Sequence, residues 1–403
     1  MNRRIVLFGA FDRHNLGDLL FPHLVAALLR ERGLTDELLF AGLASRDMRS
    51  CGGHAVQALA RLAAVPDARP TAVIHVGGEV LTCDAWRAAV MLLAAGEVQA
   101  TVAYFERHAA EKAAWVRRIL GVDALAPYTL ARSAWPAVDR VLYNAVGGVD
   151  LATCDPALQA EVIDKLKAAD RVGVRDPHTA AQLAAAGVAA RLLPDPAVMV
   201  AELFGTAIRE RVRAGEVARV HRMFPHGYLA VQFSADCGDD RTLATIAGQL
   251  ERVAHRTGLG LVFFRAGAAP WHDDLGCYAR AAAQLRRGKA HLFESLHLWD
   301  ICALIAQSRG FCGSSLHGRI VALAFALPRV NLRSPASLDH PGKQAAFATA
   351  WDDDPMPSLV DIDDLAAGLD RALDSDPAVS ERRAAELVHA YRDGFDALCA
   401  GLT

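Results

Sequence analysis

Along the chain, short runs of Val, Ile and Leu alternate with stretches in which apolar residues recur every three or four positions. The runs read as buried parallel strands, which show little polar alternation because both faces of the sheet are covered. The periodic stretches read as helices. In the first half, strands are expected at Arg4–Phe11, Ala72–Val76, Arg140–Val146, Arg171–Val174 and Arg191–Leu193. Helices are expected at Gly17–Arg32, Ala85–Ala95, Pro156–Ala168 and Pro177–Ala186. The pattern weakens around residues 201–228, where Arg209–Arg222 is charge-rich and helical and "FPHG" breaks the chain. It resumes with strands at Tyr228–Phe233, Leu259–Phe264, Gly310–Cys312 and Arg329–Leu332. The helices of this half are expected at Arg241–Thr257, Asp273–Leu285, Leu298–Gln307 and Leu316–Leu327. "WDDDPMPS" reads as a surface loop, and Ala378–Leu398 closes the chain as an amphipathic helix.

Strand–helix alternation repeated in two halves predicts an α/β fold of two Rossmann-like domains facing a cleft. The expected boundaries are residues 1–210, residues 225–375, and a closing helix at 376–403. Composition narrows the function classes. The chain is 53% hydrophobic and 22% charged with a net charge of -3, and its arginines are scattered. That lacks the basic stripe nucleic-acid binding requires. No apolar run approaches 18 residues, so no membrane span is expected. The opening run, MNRRIVLFGAF, is interrupted by Asp12 and Arg13, and reads as a first strand and not a secretion signal. Eight cysteines without a C-x-x-C pair argue against a zinc ribbon and fit thiols in a reducing cytoplasm.

Ligands of such sheets bind beyond the carboxyl ends of the strands, so the polar residues there carry the candidate chemistry. Neither a G-x-G-x-x-G nor a Walker pattern is present. Asn15 and Asp18 follow the first strand, as helix caps or as part of a ligand loop. Gly77 and Gly78 allow close backbone approach at the next strand end. Glu79 beside them is an acid, a base or a hydroxyl-binding group, or else a solvated carboxylate. Asp176 and Pro177 start a helix well, which leaves Arg175 to meet a carboxylate or phosphate, or to pair locally with an Asp. Asp195, between prolines, reads as structural.

The stretch "GSSLHGRIVALAFALPRV" places Ser314, Ser315, His317 and Arg319 at the mouth of a helix that is otherwise apolar. A helix N-terminus attracts an anion. A bound phosphate would favour the imidazolium of His317, making it a general acid. Lys343, on a loop after the last strand, is a further cation for a phosphate or carboxylate. Arg265 is a weaker candidate of the same kind.

The ordered set "NLGD", "HVGGEVL", "VGVRD…LLPDPAV" and "GSSLHGRI", from Ile5 to Lys343, resembles the polysaccharide pyruvyl transferase family. The resemblance implies a glycosyltransferase-B-like fold. It implies ketal pyruvyl transfer, with pyruvate moving from phosphoenolpyruvate onto two hydroxyls of a sugar and phosphate released. It implies Arg175 and His317 as functional residues and Lys343 as a third. The donor enters as co-substrate, without a metal or other cofactor. The acceptor is a sugar or glycan precursor, lipid-linked or free, with the enzyme in the cytoplasm or peripheral to the inner membrane face. This chain departs from the family at Ser315, where some members carry arginine and Arg319 is a substitute one turn on. It departs again at Glu79, where a third glycine is common. Residues 83–136 match nothing in particular and are expected to shape the acceptor site. Two alternatives stand beside this reading: a nucleotide-sugar glycosyltransferase of the same architecture, and a silent member that binds a glycan or an anion.

Overall fold

The computed structural model describes residues 3–34, 37–65, 69–286, 289–333, 342–352 and 359–402. The chain forms two compact units, residues 1–196 with 390–403, and residues 197–389.

The first unit is built on β1 (Arg4–Phe8), β2 (Glu37–Gly42), β3 (Arg46–Asp47), β4 (Ala55–Ala58), β5 (Thr71–His75), β6 (Val138–Val146), β7 (Arg171–Val174) and β8 (Arg191–Leu192). They lie in the order β3-β4-β2-β1-β5-β6-β7-β8, and β3 alone runs antiparallel to its neighbour. Every residue of β1 and β5 is buried, as their unbroken apolar runs require. The connections are α1 (Leu16–Glu31), α2 (Leu59–Ala64), the trio α3 (Ala85–Met91), α4 (Ala95–Arg107) and α5 (Ala109–Leu120), then α6 (Pro156–Lys167) and α7 (Pro177–Ala185).

The second unit opens with α8 (Val200–Glu210) and α9 (Gly215–Met223). Its sheet has β9 (Tyr228–Gln232), β10 (Gly260–Phe264), β11 (Ala290–Phe293), β12 (Gly310–Gly313) and β13 (Arg329–Asn331), all parallel, in the order β11-β10-β9-β12-β13. Its helices are α10 (Asp240–Thr257), α11 (Leu275–Ala283), α12 (Leu298–Ala306), α13 (Leu316–Ala324), α14 (Gly342–Trp351) and α15 (Leu365–Leu373). The unit begins before the charge-rich stretch, not after it, because α8 packs on α12 and α13. Helix α16 (Pro377–Cys399) starts in the second unit, and from Ala390 onward belongs to the first. No described helix is long and apolar enough to cross a membrane.

The expected elements are present with ends shifted by a few residues. Strands β2, β3, β4 and β11 and helices α2, α4, α5, α8, α14 and α15 are additional. The first four residues of β2 and the first three of β11 are only partly buried, so their apolar signal is weak. Lys343 lies in the first turn of α14, not on a loop. Most of the expected loop "WDDDPMPS", residues 353–358, and residues 334–341 before α14 lie outside the described residues. All eight cysteines are free, six of them buried and Cys51 and Cys154 partly so.

Each sheet reverses its strand order once. In the first unit the chain steps from β1 outward to β2 and β4, then returns to β5 on the other side of β1. In the second it steps from β9 to β10 and β11, then returns to β12 on the other side of β9. At such a reversal the two connections leave in opposite directions and open a crevice at the carboxyl ends of the strands. Those ends carry residues 9–15 and 77–79 in one unit, and residues 233–235 and 314–315 in the other.

Candidate functional site

In the first unit, Asn15 caps α1: its Oδ1 accepts from the amides of Gly17 and Asp18, at 3.2 and 3.4 Å. Gly77 and Gly78 have φ of 125° and 94°, backbone that side-chain-bearing residues rarely adopt. A Cβ on Gly78 would lie 3.1 Å from Asp18 Oδ1, so the helix start and the glycine turn abut. Glu79 follows. Its Oε2 accepts from Arg175 Nη2 at 2.6 Å, and its Oε1 accepts from the Val149 amide at 2.9 Å. Arg175, 3% exposed, also donates from Nη1 to Asp195 Oδ2 at 2.9 Å. Burial alone would lower the pKa of the Arg175 guanidinium, but the two carboxylates outweigh it and raise the pKa. The arginine is therefore held by Asp195, as local pairing anticipates, and additionally by Glu79. Of this trio Glu79 reaches solvent most, at 22% exposure. Gly147 makes room for the pair, since a Cβ there would run into Glu79 Oε2 and stand 2.8 Å from Arg175 Nε. Asp176 caps α7, its Oδ1 accepting from the Thr179 amide at 2.7 Å.

In the second unit, Ser315 is the N-cap of α13, its hydroxyl accepting from the Gly318 amide at 3.1 Å. Ser314 does not cap: its Oγ accepts from the Ser234 amide at 3.0 Å. The register sets Gly313 beside Gln232, and Gln232 Oε1 accepts from the Ser315 amide at 2.8 Å. Gln232 Nε2 in turn donates to Asp273 Oδ1 at 2.8 Å, while Asp273 Oδ2 accepts from the amides of Ala266 and Gly267, at 2.6 and 3.2 Å. Burial pushes the Asp273 carboxyl up to about 6, against those hydrogen bonds and the Arg265 charge. His317 lies buried in the first turn of α13. The first turn of α14 reaches the same place, because Gln344 donates to the Ser314 carbonyl. Lys343, its neighbour, is exposed. Three segments, at the ends of β9 and β12 and the start of α14, thus converge on one helix mouth.

Arg319 is not part of that mouth. It is fully buried, and its Nε donates to Asp352 Oδ2 at 2.6 Å. Arg329 Nη2 donates to Asp352 Oδ1 at 2.6 Å, again with 0% exposure. Burial raises the Asp352 carboxyl, and the two guanidiniums outweigh it and hold it below the usual range. Arg319 therefore belongs to an Arg–Asp–Arg core triad one turn away from the position it was expected to replace.

Sequence reading passed over a buried network after β1. Arg13 Nη1 donates to Tyr128 OH at 2.9 Å, and its Nη2 stands 3.8 Å from Asp18 Oδ2. Tyr128 OH donates to Asp12 Oδ1 at 3.1 Å, and Asp12 Oδ2 accepts from the amides of Leu43 and Ala44. Asp12 and Arg13, the charges that interrupt the first apolar run, were the visible signal. Their partner Tyr128 lies over a hundred residues away. His75, ending β5, accepts from the Leu130 amide through Nε2 at 3.1 Å and so donates from Nδ1 to the Leu142 carbonyl at 3.0 Å. Burial holds its pKa down to about 3, so this imidazole is a neutral strut. Among the described residues no three His, Cys, Asp or Glu side chains converge as a metal site. A cavity of about 350 Å³ lies at the amino ends of β9 and β10, lined by Phe224, His226, Glu251 and His255 among others, at the wrong end of the sheet for these groups.

The fold recurs in solved structures that span nearly the whole chain. The UDP-GlcNAc 2-epimerase of Neisseria meningitidis, bound to UDP-GlcNAc, has a TM-score of 0.57 at 10% identity, covering 98% of this chain and 99% of that one. A putative UDP-N-acetylglucosamine 2-epimerase from Listeria monocytogenes has a TM-score of 0.53 at 12% identity, covering 98% and 94%. A trehalose-6-phosphate synthase has 0.51 at 12%, covering 98% and 99%. At such identities the likeness is one of fold, and the fold is glycosyltransferase-B-like. No curated protein sequence matches the chain. The profile of a family described as polysaccharide pyruvyl transferase matches residues 123–334, just over half of the 403 residues. The match takes in both Arg175 and the turn from Ser314 to His317, and the chain belongs to the polysaccharide pyruvyl transferase family.

Proposed function

We propose that the protein is a ketal pyruvyl transferase that moves pyruvate from phosphoenolpyruvate onto two hydroxyls of one sugar or glycan precursor and releases phosphate. The observation that carries this reading is the mouth of α13, with His317 in its first turn at the point where the strand order reverses. The positive end of the helix and the Ser314–Ser315 turn suit the donor phosphate. Lys343, in the α14 turn tied to Ser314 by Gln344, supplies a cation for the phosphate or carboxylate.

The chemistry needs one proton delivered to the donor's methylene carbon, which becomes a methyl group. One acceptor oxygen then bonds to the neighbouring carbon, and the second acceptor oxygen displaces the phosphate from it. The two hydroxyl protons lost by the acceptor balance the one on the methyl and the one on phosphate. His317, in the first turn of that helix mouth, is the acid. Glu79, the most exposed member of its trio, is open to a sugar hydroxyl at the strand ends of its own sheet. Arg175, enclosed by two carboxylates, acts through Glu79 and is a positioning residue in this scheme.

The test is thermal stability and turnover. Phosphoenolpyruvate at a hundredfold its Kd should add about 2.7 kcal/mol to the folded state. His317→Ala should lower turnover by about 10²–10⁴-fold, and weaken that stabilisation without abolishing it, since the helix mouth and Lys343 remain. Near-normal turnover in His317→Ala would overturn the scheme. A second reading, glycosyl transfer from a nucleotide-sugar, draws on the likeness in fold to an epimerase bound to UDP-GlcNAc. Stabilisation by nucleotide-sugars alone would favour it. Phosphoenolpyruvate binding without turnover in the wild type would favour a silent, anion-binding member.

A further inference from the structure

Trp271 sits in the connection between β10 and α11 with 52% of its surface exposed. Its φ is 62°, in the left-handed region that a bulky residue seldom occupies. An indole left in water on such backbone does nothing for folding, so the position invites a reason outside the core.

The connection around it is fixed. The Asp273 amide donates to the Gly267 carbonyl at 3.1 Å, and Asp273 Oδ2 accepts from the Gly267 amide at 3.2 Å. A Cβ on Gly267 would stand 2.7 Å from the His272 ring, so the turn is closely folded. Two ties that leave this turn lead to the mouth of α13. The His272 carbonyl accepts from the Ala235 amide at 3.1 Å, and the preceding amide, that of Ser234, donates to Ser314 Oγ. Asp273 accepts from Gln232, which accepts from the Ser315 amide. Trp271 thus lies one residue from the chain that ends on Ser314 and two from the chain that ends on Ser315.

We propose that Trp271 is an aromatic platform for the acceptor, taking the apolar C–H face of its sugar ring. The inference rests on the pyruvyl-transfer reading. In a ketal two oxygens of one sugar join a single carbon of the donor, so the ring must lie directly against the donor. A flat aromatic carried by the turn that is hydrogen-bonded to the donor's seat is a candidate to meet that ring. The negative face of the indole suits the weakly positive C–H groups of a pyranose. Such a platform orients the ring without reading its hydroxyls, which leaves hydroxyl recognition to other groups.

The experiment uses the full chain with phosphoenolpyruvate and methyl glycosides of galactose, glucose and mannose as probes. The indole N–H signal of Trp271 is assigned by its disappearance in Trp271→Phe. The expected result is that at least one glycoside moves this signal. Trp271→Ala then weakens that glycoside at least about tenfold and Trp271→Phe weakens it less, both with unchanged phosphoenolpyruvate affinity and an unchanged melting midpoint. If phosphoenolpyruvate binds the wild type and no glycoside moves the indole, the platform is wrong and the donor reading stands. Unchanged glycoside affinity in Trp271→Ala overturns it equally. A signal moved by uridine and by no glycoside makes Trp271 a base-stacking residue and overturns it too. Absence of phosphoenolpyruvate binding in the wild type sinks the pyruvyl reading, and the acceptor platform with it.

Discussion

At the scale of single residues, the site depends on groups that leave space as much as on groups that react. Gly147 is the clearest case. Its φ is not unusual, so its reason is room: a methyl there meets the Glu79–Arg175 pair. Gly147→Ala should cost about 1–3 kcal/mol, the usual range for overpacking, and urea denaturation measures it. Asp273 makes the second residue-level prediction. Its folded pKa is about 6, against about 3.9 for an unfolded Asp. The folded state therefore holds the proton more tightly, and its contribution is complete below about pH 4 and lost as pH rises through about 6. The difference is on the order of 2–3 kcal/mol. Asp273→Asn should flatten that part of the stability profile, read by denaturation at acidic and neutral pH. A slope that survives the substitution would place the titration elsewhere.

At the scale of elements, α13 is the clearest case. Its eight residues from Leu316 to Leu323 are all buried, including His317 and Arg319. Its start is set by Ser315, whose removal in Ser315→Ala should cost about 1 kcal/mol. The same change should weaken phosphoenolpyruvate, since it alters the turn that seats the phosphate; a thermal melt with and without donor separates the two effects. This helix and its turn were legible in the sequence, because a polar first turn on an apolar helix is a local signal. So were β1, β5, β6 and β7, each of which carries a short run of buried apolar residues. Strand β2 was not, because its start is half-buried. The pairing of Arg175 with Glu79 spans 96 positions, and the tie from Gln232 to Ser315 spans 83. Such pairings come from strand order, which no local pattern encodes. Arg319 shows the reverse error: one turn along a helix turns a residue from the mouth into the core, where Asp352 holds it.

At the scale of the whole molecule, the chain is a member of the polysaccharide pyruvyl transferase family on a glycosyltransferase-B-like scaffold of two sheets. The way α16 is shared between units makes a prediction there. Tyr391 and Phe395 are fully buried, and the Asn144 side chain donates to Tyr391 OH at 2.9 Å. Arg392 donates to Glu31 at 2.8 Å, and Arg32 Nε donates to Asp396 at 2.7 Å. Removing a buried aromatic costs about 3–5 kcal/mol, so a chain ended after His389 should lose the first unit's stability while keeping the second's. Calorimetry would show one transition lowered and one retained; two unchanged transitions would mean that the last turns of α16 are dispensable.

The same helix sets an order of events during synthesis. The second unit is one unbroken stretch of chain, so it can fold as soon as it has been made. The first unit begins earlier but lacks Tyr391 and Phe395 until the ribosome has passed residue 389. The half that is translated first is completed last, and its open sheet must be sheltered while the other half takes shape.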